Sequence, residues 1–144
     1  MSVQHWLMKS EPNKYSFAQL VREGKTMWDG IRNFEARNNL RAMKVGDRGF
    51  FYHSGTGKEI VGIVEVSAAA HIDPTDKTGQ WVSVRVLAVR DLPSPVSIAD
   101  IKSHPRLKDM ALVRNSRLSV QPVNPDEWRI VCEMGGLDSS PRSS

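Results

Sequence analysis

The chain has 144 residues, of which 40% are hydrophobic and 25% charged, and its formal net charge is +4. This size and composition are typical of one globular domain that forms a core without cross-links. No run of about 20 apolar residues would span a bilayer, and residues 1–6 lack the pattern of a signal peptide. The single cysteine, Cys132, is interpreted as a buried structural thiol in a reducing compartment.

The N-terminal part predicts a strand and a helix. Residues 5–8 are mostly apolar and favour a short strand, which ends before Pro12. A helix begins at Ser16, because Gln19 stands three residues later as in a capping box. Gly24 is placed to end that helix.

A second helix is predicted over residues 32–43, after a turn at residues 28–30. We expect Phe34, Leu40 and Met43 to lie in its core-facing stripe. Basic residues outnumber acidic ones in the first third of the chain and again in the last third. If the two ends meet in the fold, they form a basic face that attracts phosphates. The alternative is that these charged side chains lie on ordinary, solvated helix surfaces.

The centre of the chain predicts strands. Residues 49–54 are aromatic, and residues 60–68 are apolar with Gly62 among them, which indicates a bulge or a close approach of another backbone segment. Residues 81–89 alternate between apolar and polar, as a half-buried strand does. A further strand is predicted over residues 118–120, after which residues 121–123 leave the sheet.

The C-terminal part predicts two helices and a tail. Ser97 caps a short helix, and a longer one begins after Asn124 and stops at Gly135. Residues 138–144 are rich in serine and are expected to be a disordered tail. With no repeat and no second core in the pattern, we predict a single α+β domain over residues 1–137 around a curved sheet or small barrel.

The sequence lacks the motifs of common catalytic sites. The four histidines do not stand at metal-ligand spacing, and no phosphate loop or nucleophile elbow occurs. His53 and Ser54 are adjacent on a predicted strand, so they point to opposite faces and do not act together as base and nucleophile. Glu11 and Asp29 form a carboxylate pair only if their loops converge. We therefore predict a binding protein, not an enzyme, without metal or cofactor.

Recognition of an unpaired base needs an aromatic face, polar groups at the base edge and cations for the phosphates. Trp28 stands beside two turn-forming residues and is either a stacking plate or a core tryptophan. Asn33 either meets a base edge or caps the helix that follows. Arg37 and Arg41 lie one helical turn apart, on a face that suits either phosphates or solvent.

Eight blocks of the sequence stand in the order of a known family. They are WLMKSEP with YS, WDGIRN, ARNNL, KVGD, FYHS, VEV, WVSV, and LVR through RLSV, followed by EW. Together they resemble the EVE domain, a family of the PUA-like superfold that is related to the YTH readers of methylated adenine in RNA. The resemblance covers residues 3–134, almost the whole chain.

The resemblance implies a PUA-like mixed β-barrel flanked by short helices, with a pocket for a modified base. The favoured ligand for this branch is 5-methylcytosine or 5-hydroxymethylcytosine in DNA. The residues implied for the pocket are Ser10, Glu11, Trp28, Asn33, His53, Ser54, Arg117 and Ser119. The residues expected to contact phosphates are Lys9, Arg32, Arg37, Arg41 and Arg114.

In this assignment Trp28 stacks on the base, and Asn33 and Ser10 meet its edge. Glu11 accepts a hydrogen bond from an exocyclic amine, as carboxylates do for cytosine N4. Two residues contact either the edge or the phosphate: His53 and Arg117.

Two other functions remain open. The first is an RNA-binding accessory factor of the PUA type that recognises structured or modified RNA. The second is an enzyme that acts on a modified base, with Glu11 or His53 as its general acid or base. Eukaryotic members carry a basic N-terminal extension, whereas the domain here begins at residue 3, so we expect a cytoplasmic bacterial protein. We also expect it to be a monomer that does not bind membranes.

Overall fold

The structure is a computed structural model that describes residues 3–55 and 57–137. Its strands are β1 (His5–Ser10), β2 (Lys25–Trp28), β3 (Arg48–His53), β4 (Glu59–Ile72), β5 (Val82–Ser97) and β6 (Val120–Val123). Its helices are α1 (Phe17–Glu23), α2 (Phe34–Ala42), α3 (Ile98–Ser103), α4 (Ala111–Arg114) and α5 (Pro125–Met134). Across these described residues, no helix is long and apolar enough to cross a membrane.

All six strands belong to one sheet with the order β2-β5-β4-β3-β1-β6. The pair β1–β3 is parallel, and the other neighbours are antiparallel. Register shifts interrupt the long β4–β5 ladder at several points, as bulges do where a sheet bends. Each face of the sheet is covered, because Trp6, Met8 and Phe51 pack with α1 and α2, while Leu7 and Phe50 pack with the later helices.

Local capping signals gave the correct helix ends. The Ser16 hydroxyl accepts from the Gln19 amide at 3.1 Å, and Gly24 ends α1 with φ 83°. Asn124 and Glu127 form the predicted capping box at the start of α5, which ends at Gly135. These contacts lie within one helical turn, so the sequence alone specifies them.

Helix α2 differs from the prediction in its first residue and in the position of Phe34. The helix begins two residues later than expected, with Asn33 as its N-cap, and Leu40 and Met43 are buried as predicted. Phe34, however, is 59% exposed, so its assignment to the core was wrong. Its ring lies against Trp81, with the two ring centroids 5.0 Å apart. Trp81 reaches it from a distant part of the chain, which helical periodicity does not reveal.

Several strands differ from the prediction in their bounds. Strands β4 and β5 run to Ile72 and Ser97, beyond the expected ends at residues 68 and 89, because they pair with each other over this length. Trp28, which was expected in a turn over residues 28–30, instead ends β2 and pairs with Val84 of β5. The last strand runs over Val120–Val123 and not over residues 118–120. Pro122 is tolerated in it because β6 lies at the edge of the sheet, where a missing amide donor costs no ladder bond. The predicted tail at residues 138–144 lies outside the described residues.

The structure agrees with two predictions about buried residues, Cys132 and Gly62. Cys132 is buried as expected, and burial raises the pKa of its thiol to about 11. Gly62 lies at a register shift of the sheet, as the predicted bulge requires, and a Cβ atom there would lie 2.4 Å from the Phe17 ring. Phe17 is itself buried and packs edge-on against Phe51 at 5.3 Å between centroids, so its ring has little room to move.

The Gly62→Ala substitution is therefore expected to lower the free energy of unfolding by about 1–3 kcal/mol, the range for overpacking a core. Urea denaturation of the two proteins measures the difference. Gly57→Ala is the matched control, because no atom lies within 4 Å of a Cβ built at that glycine. Equal stability of Gly62→Ala and the unmodified protein would contradict the close packing described above.

Candidate functional site

A cavity of about 430 Å³ opens between the end of β1, the loop that follows it and strand β2. We call it the Trp28 cavity. Its walls combine an indole and aliphatic side chains with hydroxyl, ammonium and carboxylate groups. The residues that line it are Lys9, Ser10, Tyr15, Thr26, Met27, Trp28, Asp29 and Ile31. Such a mixture suits a flat, partly polar ligand.

Trp28 is both a core residue and a wall of this cavity. It is 7% exposed, and its ring stands edge-on to Phe51, with an interplanar angle of 89° and 5.5 Å between centroids. Trp28 is therefore a core tryptophan, one of the two interpretations considered for it, and it also lines the cavity; stacking on a base stays a prediction. Packing against Phe51 fixes the indole ring, so a ligand meets a wall that is already in place.

Hydrogen bonds hold Ser10 and Lys9 at the cavity. The Ser10 hydroxyl donates to the Tyr15 carbonyl at 2.6 Å, which ties the loop after β1 to the strand end. Lys9 Nζ donates to the Ser116 carbonyl at 2.6 Å. Burial lowers the pKa of the Lys9 ammonium. The Lys9 amide donates to the Ser119 carbonyl, so Ser119 supports the site through its backbone.

Asp73 anchors the turn that carries Asp29 to the cavity. Its side chain is fully buried and accepts hydrogen bonds from the Gly30 amide at 2.8 Å and the Arg32 guanidinium at 3.1 Å. It also accepts from the amide and the hydroxyl of Thr75. Burial alone would raise its pKa, but the hydrogen bonds from Thr75, Gly30 and Arg32 outweigh burial and lower the pKa to about 2.

Asp73 was missed in the sequence, although residues 73–75 read Asp-Pro-Thr, a combination that forms turns with side-chain bonds to the backbone. The wall residues Thr26 and Met27 were also not singled out in the sequence. Thr26 and Met27 lie on strand β2, which was not predicted from the sequence.

Several predicted pocket residues lie away from the Trp28 cavity. Glu11 is exposed and forms an ion pair with Lys14 at 3.8 Å. The Asn33 side-chain oxygen accepts from the Ala36 amide at 2.9 Å, so this residue caps α2, one of the two roles considered for it. A base-edge role for Asn33 stays a prediction.

His53 and Ser54 line two other cavities. His53 Nε2 accepts from the Phe17 amide at 3.1 Å and faces the groove beside α1. Burial lowers the pKa of His53, and Glu59 opposes this effect. A lowered pKa favours the neutral ring, which keeps Nε2 free to accept. Ser54 lies in a cavity on the far side of Lys9.

The predicted phosphate contacts are spread over the surface. Arg37 lies over the Phe34 ring at 4.8 Å and over Trp81 at 5.5 Å, and Arg32 lies over Trp81 at 5.7 Å. The other arginines of the prediction are exposed: Arg41, Arg114 and Arg117. Contact of these side chains with phosphate stays a prediction. Among residues 3–55 and 57–137, no group of three histidine, cysteine or carboxylate side chains could hold a metal ion.

Residues 4–134 match the family model of the EVE domain. The chain belongs to the EVE family. An EVE domain was the family expected from the eight sequence blocks, and that recognition is confirmed.

Solved structures share the fold of this EVE domain. A crystal structure of an Agrobacterium tumefaciens protein is 49% identical, covers 99% of both chains and has a TM-score of 0.92. Human THYN1 protein, solved in complex with DNA that contains 5-methylcytosine, is 33% identical, with 94% of this chain and 99% of that chain covered and a TM-score of 0.86.

A more distant neighbour is the YTH domain of a Zygosaccharomyces rouxii protein, solved with N6-methyladenosine RNA. It is 20% identical, with 94% of this chain and 90% of that chain covered and a TM-score of 0.57, and it shows the fold alone. The predicted PUA-like α+β fold and its similarity to the fold of a YTH domain are therefore confirmed.

Proposed function

We propose that this EVE domain binds nucleic acid and recognises a modified base, 5-methylcytosine or 5-hydroxymethylcytosine in DNA, inside the Trp28 cavity. The observation that carries the proposal is the set of cavity walls, in which a fixed indole stands beside Ser10, Lys9 and Asp29. The human THYN1 complex with methylated DNA supports it, because that protein shares the family and the fold.

The chemistry of the walls suits a cytosine that has been turned out of a helix. Trp28, Met27 and Ile31 offer apolar surface to the ring faces and to a substituent at C5. Asp29 offers a carboxylate to the exocyclic amine at N4. The family resemblance implied this role for Glu11, but of the two carboxylates it is Asp29 that lines the cavity, so Asp29 suits the role better.

The selectivity for a modified base over an unmodified one is limited by the binding free energy that one methyl group contributes. A methyl in an apolar pocket is worth about 1–3 kcal/mol, which corresponds to a selectivity of about tenfold to a few hundredfold. Unmodified nucleic acid is expected to bind through its phosphates alone, weakly and with a strong dependence on salt.

A panel of oligonucleotides at one salt concentration tests the proposal. Each strand carries cytosine, 5-methylcytosine, 5-hydroxymethylcytosine or N6-methyladenine at one position, as DNA and as RNA. We expect the modified cytosines in DNA to bind most tightly. Equal binding of modified and unmodified DNA would overturn the proposal. Clear preference for RNA would favour the accessory factor of the PUA type. A monomer in a bacterial cytoplasm and the absence of catalysis stay predictions.

A further inference from the structure

A second cavity lies on the other side of Lys9. It has a volume of about 420 Å³ and is bounded by the end of β3, the loop after it, α3 and the segment after α4. Three lysines line it, Lys9, Lys58 and Lys102, together with Ser54 and Tyr52. No aspartate or glutamate is among its described wall residues. We call it the lysine cavity.

The charges of this cavity are available to a ligand. Within residues 3–55 and 57–137, neither Lys58 nor Lys102 forms an ion pair. Lys9 Nζ donates one hydrogen bond to the Ser116 carbonyl at 2.6 Å, and an ammonium group has three N–H donors, so two remain for a ligand. Three cations without a carboxylate around one concave space repel one another, and an anion inside relieves this repulsion.

The backbone places Lys58 at this cavity at a cost. Its φ is 43°, and it is the one residue other than glycine with positive φ in the part of the chain that the structure describes. A residue other than glycine is strained by about 1–3 kcal/mol at such a positive φ, and strained residues of this kind are concentrated at ligand-binding sites. The Lys58 carbonyl accepts from the Ile98 amide at 3.0 Å, so the strained conformation is held in place.

The lysine cavity adjoins the Trp28 cavity. Lys9 lines both of them. Ser10 of the first and Ser54 of the second are joined by a backbone hydrogen bond of 2.9 Å. A ligand with a flat polar ring in one cavity and an anionic group a short distance away would occupy both. A nucleotide in a strand has this form, since its base and its phosphates are linked through the sugar.

We propose that the lysine cavity binds a phosphate group, and that in a nucleic acid this is the backbone phosphate next to the nucleotide whose base fills the Trp28 cavity. The second half of this inference rests on the proposed function. It assigns a role to Lys58 and Lys102, which the sequence did not single out.

The first test uses inorganic phosphate alone. Phosphate is titrated against chloride at equal ionic strength while the amide signals of Gly55 and Ser116 are followed by NMR. We expect saturable shifts in the unmodified protein and their loss in the double variant Lys58→Gln, Lys102→Gln. The control is Lys44→Gln, Lys108→Gln, which changes the net charge equally at exposed lysines outside the cavity. Unsaturable shifts, or equal shifts in both double variants, would overturn the phosphate site.

The second test uses a DNA oligonucleotide with one 5-methylcytosine. The slope of log Kd against log salt concentration is expected to fall by about 0.7–0.9 in Lys58→Gln, Lys102→Gln, the value for one phosphate contact. It should stay unchanged in the control pair, and the preference for the modified base should remain in both. A phosphate-dependent NMR shift with an unchanged slope would mean that the cavity takes a small phosphate ligand, and would overturn the role in strand binding.

The base-recognition proposal and the phosphate-site proposal can be refuted independently of each other. If the oligonucleotide panel shows no preference for a modified base while the slope still falls in Lys58→Gln, Lys102→Gln, the base-recognition proposal fails and the phosphate site stands. Lys9 is left unchanged in these tests because it belongs to both cavities, so its substitution would not tell them apart.

Discussion

Asp73→Asn is expected to lower the free energy of unfolding by about 3 kcal/mol and to weaken binding of a modified base. Each carboxylate oxygen of Asp73 accepts two hydrogen bonds, one oxygen from Gly30 and Arg32 and the other from Thr75. An amide must turn its NH₂ group toward one of these pairs of donors, which leaves buried polar groups without partners. The loss of the Gly30 contact also releases the turn that carries Asp29.

The pH dependence of stability checks this role of Asp73. Its pKa is about 2 in the folded protein and ordinarily 3.8, so the ionised carboxylate stabilises the fold above pH 3.8. This contribution disappears as the pH falls toward 2. The difference in unfolding free energy between the unmodified protein and Asp73→Asn should therefore be constant from pH 7 to 5 and shrink below pH 4. Asp76, whose pKa is also about 2, is present in both proteins and cancels.

Urea denaturation between pH 7 and pH 2 measures this difference. Asp109→Asn is the control, because Asp109 is exposed and has no hydrogen bond or ion pair among the described residues. A difference for Asp73→Asn that is below 1 kcal/mol at pH 7, or that does not change with pH, would contradict the role described here.

The parts of the fold that depend on neighbours in sequence were predictable. Ser16 and Asn124 bond to amides three residues away, and the alternation over residues 81–89 records the two faces of β5. Strand β2 was not predictable in this way. It has only four residues, and its strand character comes from pairing with β5, more than fifty residues later in the chain.

The same physical reason limited prediction of the site. Lys9, Ser10 and Trp28, which the sequence singled out at the ends of local elements, line the Trp28 cavity, and their roles in binding stay predictions. The choice between Glu11 and Asp29 as the carboxylate of the site depends on the three-dimensional shape of the sheet. Strands β1 and β2 meet at the Trp28 cavity although β5, β4 and β3 lie between them in the sheet. Only the bend of the sheet brings them together, and the bend results from bulges and packing across the whole domain.

The Asp29→Asn substitution is expected to reduce the preference for 5-methylcytosine over thymine by about 10- to 100-fold. Thymine carries the same methyl group at C5 but has a carbonyl at position 4, where cytosine has an amine. A carboxylate accepts from the amine and repels the carbonyl, whereas an asparagine amide can donate to the carbonyl. One such contact discriminates bases by about 1–3 kcal/mol. Asp29 is exposed at the rim of the cavity, so the fold should remain intact.

Competition binding with two oligonucleotides that differ only in this base measures the preference. Glu11→Gln is the matched control, since it removes the same charge from an exposed residue that does not line the cavity. If Glu11→Gln abolishes the preference and Asp29→Asn does not, the loop after β1 closes over the base and the assignment made from the sequence is restored. If neither has an effect, the amine at position 4 is not read by a carboxylate. In that case any selectivity comes from the methyl group against Trp28 and its apolar neighbours.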